Sequence, residues 1–279
     1  MNNNCQIDSN DWLGSITEQY NQVREINDSI AEHRAEYRKF SNLIGINDKA
    51  LLKCCKCFEW SLLINCYTFA EQLSKNLFYT LIGKDAHCNQ YVNNFINNKV
   101  PNGKFSPNVQ IDGLEKLVKE LDDKFKFILP KKIKEFTIYD EMVKARHTYA
   151  HRGTYMFDSS NFSDVINVLY YIKFELMVVE KYSNKRLDFQ NNIKDILDLT
   201  QSINKKRKHR CAPNEIHELL KSIKLKCKEL KKRYQDILDN SDGTLLNTFF
   251  QILYNISVMD LRKDANCLSF IDQLDAYVC

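Results

Sequence analysis

Apolar residues recur at every third or fourth position along most of the chain, and this spacing predicts amphipathic helices. A first helix is expected over residues 11–42. The segment 49–82 is apolar on nearly every side, which is typical of a helix at the centre of a bundle. Gly83 is expected to end that second helix. Because no segment alternates strictly between apolar and polar residues, the pattern predicts an all-α protein.

The middle of the chain carries most of the residues that break helices. Residues 84–113 are rich in Asn, Gly and Pro, and are predicted to form a surface insertion with at most one short helix. A helix near 113–125 follows, and the next is expected to start at Pro130 and end at Gly153. A last helix over about 163–183 is expected to close a helical bundle made by residues 1–183.

The final third of the chain, residues 184–279, is predicted to form a basic helical extension. Helices are expected over 187–204 and 214–239, followed by one or two terminal helices. Between Lys185 and Asn240 there are 15 Lys and Arg against 8 Asp and Glu, a local charge of +7 in a chain whose net charge is +4. This region is therefore the part of the chain expected to attract a polyanion.

Composition narrows the class of protein further. Glycine (7) and proline (4) are scarce, which favours long helices with few turns. The longest apolar stretch, 165–179, is interrupted by Lys173 and Glu175 and is too short and too charged to span a bilayer. The first residues lack the basic and apolar pattern expected of a secretory signal, so the ten cysteines are expected to be reduced thiols. Together these features predict a cytoplasmic protein with no membrane partner.

One short stretch, ARHTYAHRG at 145–153, concentrates two arginines and two histidines. On a helix Arg146 falls in the middle of an apolar stripe, with His151 at its edge. Burying a guanidinium without partners costs several kcal/mol, so a phosphate, a carboxylate or a symmetry-related chain is implied. The alternative is structural, with Arg146 paired to a core carboxylate and His151 bonded to a backbone carbonyl. The predicted stripe consists of Tyr139, Met142, Val143 and Ala150.

The segment RHTYAH, Arg146 to His151, has the R-x4-H spacing of the HEPN superfamily and resembles its motif. The resemblance covers roughly residues 50–183 as a helical bundle, and the sequence FAEQLSKNLFYTLI (69–82) is similar to the second helix of RiboL-PSP-type members. There an acidic residue and a downstream lysine recur, which makes Glu71 a further candidate. An acid in an apolar band needs a cation, and Arg146 or Lys75 at i+4 would serve.

The resemblance implies a metal-independent endoribonuclease, acting as a toxin or in abortive defence against phage, that needs no cofactor. It also implies a homodimer with a composite active site, an RNA substrate (tRNA or mRNA), and in some systems an antitoxin partner. Arg146 would stabilise the phosphate and His151 would act as general acid or base, leaving a 2′,3′-cyclic phosphate. His147 would bond the phosphate or shape the site. Some members are adenylylated on a tyrosine two residues after the motif histidine. Here that position is Gly153, and the nearest tyrosine, Tyr155, does not match it.

Other features leave alternatives open. The CCKC segment (54–57) contains a CxxC, but no second CxxC follows, so buried structural thiols are expected there rather than zinc. The run KKRKHR (205–210) is either an electrostatic guide for RNA or a solvated linker. The rival to a nuclease is a catalytically silent helical module that binds RNA or protein in a defence or toxin–antitoxin system. A scaffold that docks a partner through its basic region is the third possibility.

Overall fold

The computed structural model describes residues 8–85, 105–209, 212–241 and 243–278. Within these ranges the chain is all-α and contains no strand, as the sequence predicts. A short 3-10 helix spans Ser159–Asn161. The helices are α1 (Ser9–Glu32), α2 (Arg34–Leu43), α3 (Asp48–Asp85), α4 (Ile111–Lys119), α5 (Lys134–Arg152), α6 (Phe162–Lys181), α7 (Ser183–Lys208), α8 (Pro213–Arg233), α9 (Gln235–Leu238), α10 (Thr244–Val258) and α11 (Asp264–Asp275).

Helix α6 is the centre of the fold, because it packs against α1, α3, α5, α7 and α10. Its apolar side chains are buried on several sides, among them Val165, Leu169, Ile172 and Val178. The sequence assigned this place to the helix over 49–82. That prediction is only partly right, since Leu62, Leu63 and Phe69 of α3 are buried whereas the first turns of α3 face solvent.

Several predicted boundaries are corrected. The first helix is interrupted at His33, whose N–H bonds to the Ser29 carbonyl as α1 ends, and α2 starts anew at Arg34. Gly83 is not a C-cap, because α3 continues through it to Asp85. The helix near 113–125 is shorter and ends at Lys119. Most of the insertion predicted over 84–113 lies outside the described residues.

The helix expected to start at Pro130 starts at Lys134, because a buried polar network holds the preceding loop in a non-helical form. The Glu175 carboxylate accepts the Ile128 N–H (2.6 Å) and the Tyr171 hydroxyl. The Tyr171 oxygen in turn accepts the Leu129 N–H (3.0 Å). These bonds satisfy buried backbone groups that a helix would otherwise pair, and they fix where α5 begins.

The C-terminal helices share the apolar core of the bundle. Phe174 of α6 meets Phe250 of α10 at a ring-centroid distance of 6.0 Å, and Phe189 of α7 meets Phe250 at 6.3 Å. Apolar packing therefore crosses the boundary near Ser183. The division into a bundle (1–183) and a basic extension (184–279) stays a prediction.

Among the described helices, none is both long enough and apolar enough to cross a bilayer.

Candidate functional site

Helix α5 carries the motif on its last two turns. Its first half is anchored in the core by Phe136, Tyr139 and Met142, and the Tyr139 hydroxyl donates to the Val109 carbonyl (2.9 Å). Gly153 ends the helix as predicted. Its φ of 66° lies in the left-handed region that glycine adopts without strain, and its N–H bonds to the Tyr149 carbonyl at 2.9 Å. This cap holds His151 in the last turn of a regular helix.

Arg146 is half-buried and lies against α3. Its guanidinium carbon is 4.0 Å from the centroid of the Tyr67 ring, a cation–π contact. Within the described part of the chain the guanidinium makes neither an ion pair nor a hydrogen bond. Its hydrogen-bond donors are thus available to a ligand, while the aromatic ring fixes the position of the planar group.

The apolar stripe predicted around Arg146 ends before the motif. Tyr139, Met142 and Val143 are buried as expected, but Ala150 is exposed. The last three residues of α5, Ala150, His151 and Arg152, are all exposed although they point in different directions around the helix. Arg146 consequently lies at the margin of the core rather than within it.

The two motif histidines lie side by side on this exposed turn. Residues four apart are neighbours on a helix, and the ring centroids of His147 and His151 are 4.3 Å apart with an interplanar angle of 55°. Both side chains are exposed. No hydrogen bond or ion pair within the described ranges occupies their ring nitrogens, so these can reach a bound molecule.

Glu71 has partners other than the one the sequence suggested first. Its Oε1 is 2.9 Å from the Lys75 ammonium, at i+4 on the same helix, and it also accepts the Ser106 hydroxyl at 2.9 Å. Arg146 does not contact it. The expected Glu71–Arg146 pair is therefore replaced by the i+4 pair that was its alternative, because Tyr67 already holds the guanidinium one turn away on α3.

An aromatic cluster that the sequence did not indicate lies beside the motif. The Trp60 ring on α3 is 5.4 Å from that of Tyr149 and 6.3 Å from that of Tyr155. The hydroxyl of Tyr155 is buried near the Glu59 carboxylate. Burial first, and then the negative charge of Glu59, raise the pKa of Tyr155. The segment after Gly153 is thereby packed against α3, so it supports the end of the motif helix.

The structure thus groups the candidate residues in three separate contacts: Arg146 with Tyr67, His147 with His151, and Glu71 with Lys75. The sequence placed Tyr67 and Trp60 in the apolar band around Glu71 but indicated no role for them at the site. The available signal was their spacing, since aromatic residues seven apart fall on one side of a helix. That side of α3 faces the motif helix.

The cysteines of the CCKC segment are not buried as predicted. Cys54 and Cys57 are exposed, because the first turns of α3 extend beyond the core, whereas Cys66 two turns later is buried. Burial raises the pKa of the Cys66 thiol. Across the described ranges, His, Cys, Asp and Glu side chains nowhere gather in a group of three or more that could hold a metal ion.

Comparison of the chain with protein-family models, with curated proteins and with solved structures gives no match, so the site is interpreted from its own geometry.

Proposed function

We propose that this protein is a metal-independent endoribonuclease whose active site is the exposed end of α5. The observation that supports this most directly is the adjacent pair His147–His151, both exposed, on the same part of the helix as an arginine that has no anionic partner among the described residues. Cleavage of RNA by attack of the 2′-OH needs a base, an acid and a positive charge at the phosphate. Two imidazoles and a guanidinium supply these groups.

Arg146 would bind the scissile phosphate. A guanidinium cannot lose its proton at physiological pH, and its planar fork matches two phosphate oxygens. The Tyr67 ring, 4.0 Å from the guanidinium carbon, would keep the group in place before substrate arrives. Loss of one such preorganised charge costs about 10²–10³-fold in kcat.

His151 would transfer the proton, since histidine gains and loses a proton most readily near neutral pH. It would take the 2′-OH proton or deliver one to the leaving 5′-oxygen, giving a 2′,3′-cyclic phosphate and a 5′-OH end. His147, its ring neighbour, would do the complementary transfer or bond a phosphate oxygen. Either assignment balances one proton removed against one returned.

A homodimer would complete the site. The end of α5 is an open surface in one chain, and apolar side chains beside it are exposed: Ile64 at 41% on α3 and Met156 at 75% after the motif. Two such surfaces related by a two-fold axis would bring two Arg146–His151 sets to one cleft. Ile64→Glu should then give a monomer in analytical ultracentrifugation and abolish cleavage, whereas Leu43→Glu, at the strongly exposed last residue of α2, should leave both unchanged.

A toxin or an abortive-infection effector is the role we propose for such an activity, with tRNA or mRNA as the substrate. An unrestrained ribonuclease in the cytoplasm stops growth, so expression of the wild type should arrest cells. His151→Ala should relieve the arrest at equal protein level. An antitoxin or other defence partner would be needed wherever the active protein accumulates.

Cleavage tests the proposal in vitro. Labelled tRNA and mRNA are incubated in EDTA with the wild type, Arg146→Ala, His151→Ala and the matched control Arg152→Ala, which removes an exposed charge from the same turn. Wild type and the control should cut, and the first two variants should be at least about 10²-fold slower. Equal cutting by all four proteins would refute the assignment of the site.

One observation favours a second candidate, a helical module that binds RNA or protein without cutting. In the single chain no direct contact joins Arg146 to His151, and each belongs to a different pair. If neither the wild type nor any variant cleaves, but Arg146→Ala alone weakens RNA binding, this candidate replaces the nuclease.

A further inference from the structure

A groove of about 670 Å³ lies between the C-terminal half of α8 and the exposed side of α10. A second depression shares Lys231 and Gln235 with it and extends it along α8 to Val258 at the end of α10. The floor is apolar and belongs to the core, with Cys227 and Leu230 of α8 buried there. The motif residues of α5 do not line this groove, so it is a separate feature of the C-terminal region.

One wall of the groove is positively charged and uncompensated. Lys228, Lys231 and Lys232 are exposed, and none forms an ion pair with a described residue. Among the residues that the structure describes, no acidic side chain lines either part of the groove. Two acidic residues of α7 pair with basic residues of α8 that do not line the groove: Asp195 with Lys226 and Asp188 with Arg233, both at 2.7 Å.

The facing wall offers an aromatic ring and amide groups. Tyr254 is 41% exposed, and the Lys231 ammonium is 3.9 Å from its ring centroid. A base stacked on Tyr254 would therefore bring its own phosphate close to Lys231. Amide side chains around the groove can both donate and accept hydrogen bonds, as the edges of bases require: Gln235, Asn247, Gln251, Asn255 and Gln273.

We propose that this groove binds single-stranded RNA, with the α8 lysines on the phosphates and Tyr254 stacked on a base. Lysines alone would suit any polyanion, but an exposed aromatic ring beside them and amides opposite are what single-strand binding uses. A duplex keeps its bases stacked inside and offers no ring face to Tyr254. Binding here needs neither Arg146 nor His151, so the proposal goes beyond cleavage at the motif and does not depend on it.

The test measures binding to the full-length protein by fluorescence anisotropy. The probe is a labelled 2′-O-methyl oligouridylate of about 12 nucleotides, which a 2′-OH-dependent nuclease cannot cut. The groove variant carries Lys228→Gln, Lys231→Gln and Lys232→Gln. Its matched control carries the same change at three exposed lysines of α2 and α3 that form no ion pair with a described residue, Lys39, Lys49 and Lys53. Tyr254→Leu and Tyr254→Phe separate stacking from charge, and circular dichroism verifies that each variant is folded.

The groove variant should bind at least about tenfold more weakly, and the slope of log K against log salt should fall by about 2, since each phosphate contact to a single strand contributes about 0.7. Tyr254→Leu should lose about fivefold or more and Tyr254→Phe little, because phenylalanine keeps the stacking surface. Equal losses in the groove variant and its control would overturn the proposal. So would equal competition by polyglutamate or duplex RNA, which would indicate an acidic protein partner or nonspecific charge. These binding results do not depend on whether the Arg146–His151 motif cleaves RNA.

Discussion

The guanidinium of Arg146 lies over the ring of Tyr67, with 4.0 Å between the guanidinium carbon and the ring centroid. This contact joins the motif helix α5 to α3. It also explains how an arginine without an anionic partner among the described residues is held in one position. A cation–π contact at a half-buried site contributes about 0.5–2 kcal/mol and leaves all five N–H donors of arginine available.

Tyr67→Leu is predicted to lower kcat/KM for RNA cleavage by about tenfold, because Arg146 would lose the surface that orients it. Tyr67→Phe keeps the ring face and should retain nearly full activity. Both variants should unfold within about 1 kcal/mol of the wild type, as Tyr67 is only half-buried. Full activity in Tyr67→Leu would show that the stack does not position Arg146.

Glu175 is predicted to make stability depend on pH. Burial, the largest cause, raises the pKa of this carboxyl from 4.5 to about 7, against the favourable hydrogen bond from Tyr171. The native state therefore holds a proton that the unfolded chain releases, so the free energy of unfolding should fall as pH rises from about 4.5 to 7. Urea unfolding at pH 5 and pH 8 measures this.

Glu175→Gln cannot ionise, so it should remove that pH dependence. At pH 5 it should match the wild type, and at pH 8 it should be more stable, by up to about 3 kcal/mol. Glu120→Gln, at an exposed position between α4 and α5, is the control and should keep the dependence. A wild-type stability that increases between pH 5 and pH 8 would contradict the role assigned to Glu175.

Arg186 is predicted to be a structural arginine. It is fully buried, pairs with Asp122, donates to the side-chain oxygen Oε1 of Gln190 at 2.7 Å and lies 5.2 Å from the Phe125 ring centroid. Arg186→Met should destabilise the protein by about 2–3 kcal/mol, a value below that of a fully buried pair because Asp122 is partly solvated. Chemical denaturation measures the change.

The neighbouring Lys185→Met is the matched control for Arg186→Met. Lys185 pairs with Asp236 at 2.8 Å, but both side chains are largely exposed, so its loss should cost no more than about 0.5 kcal/mol. If both substitutions lower the free energy of unfolding equally, the burial of Arg186 does not contribute specifically to stability.

The helical class, the C-terminal end of α5 and the position of α6 could be predicted from local signals. Gly153 needs a left-handed backbone, and the apolar periodicity before it is strong, so the end of the motif helix is encoded in a few residues. The start of α5 was wrongly predicted at Pro130 because tertiary contacts, and not local sequence, determine it. The Glu175 carboxylate that holds the loop at Ile128 lies far along the chain, and no local pattern indicates it.

The candidate site was predicted less completely than the fold. The angular position of each residue around the helix axis placed Arg146 within an apolar stripe. Angular position does not show how far along a helix its neighbours extend, so the exposure of Ala150 could not be predicted. The choice between Arg146 and Lys75 as the partner of Glu71 also depended on packing, namely on Tyr67. The groove between α8 and α10 could not be foreseen because Lys231 and Tyr254 lie on different helices.

The most direct measurement of the proposed activity is the chemistry of the RNA ends. Wild-type protein is incubated in EDTA with a labelled RNA and with the same RNA fully 2′-O-methylated, beside His151→Ala. We expect 2′,3′-cyclic phosphate and 5′-OH ends from the wild type on RNA, and no cleavage of the methylated strand or by the variant. Ends with a 5′-phosphate and a 3′-OH, or cutting of the methylated RNA, would contradict 2′-OH attack at the Arg146–His151 site.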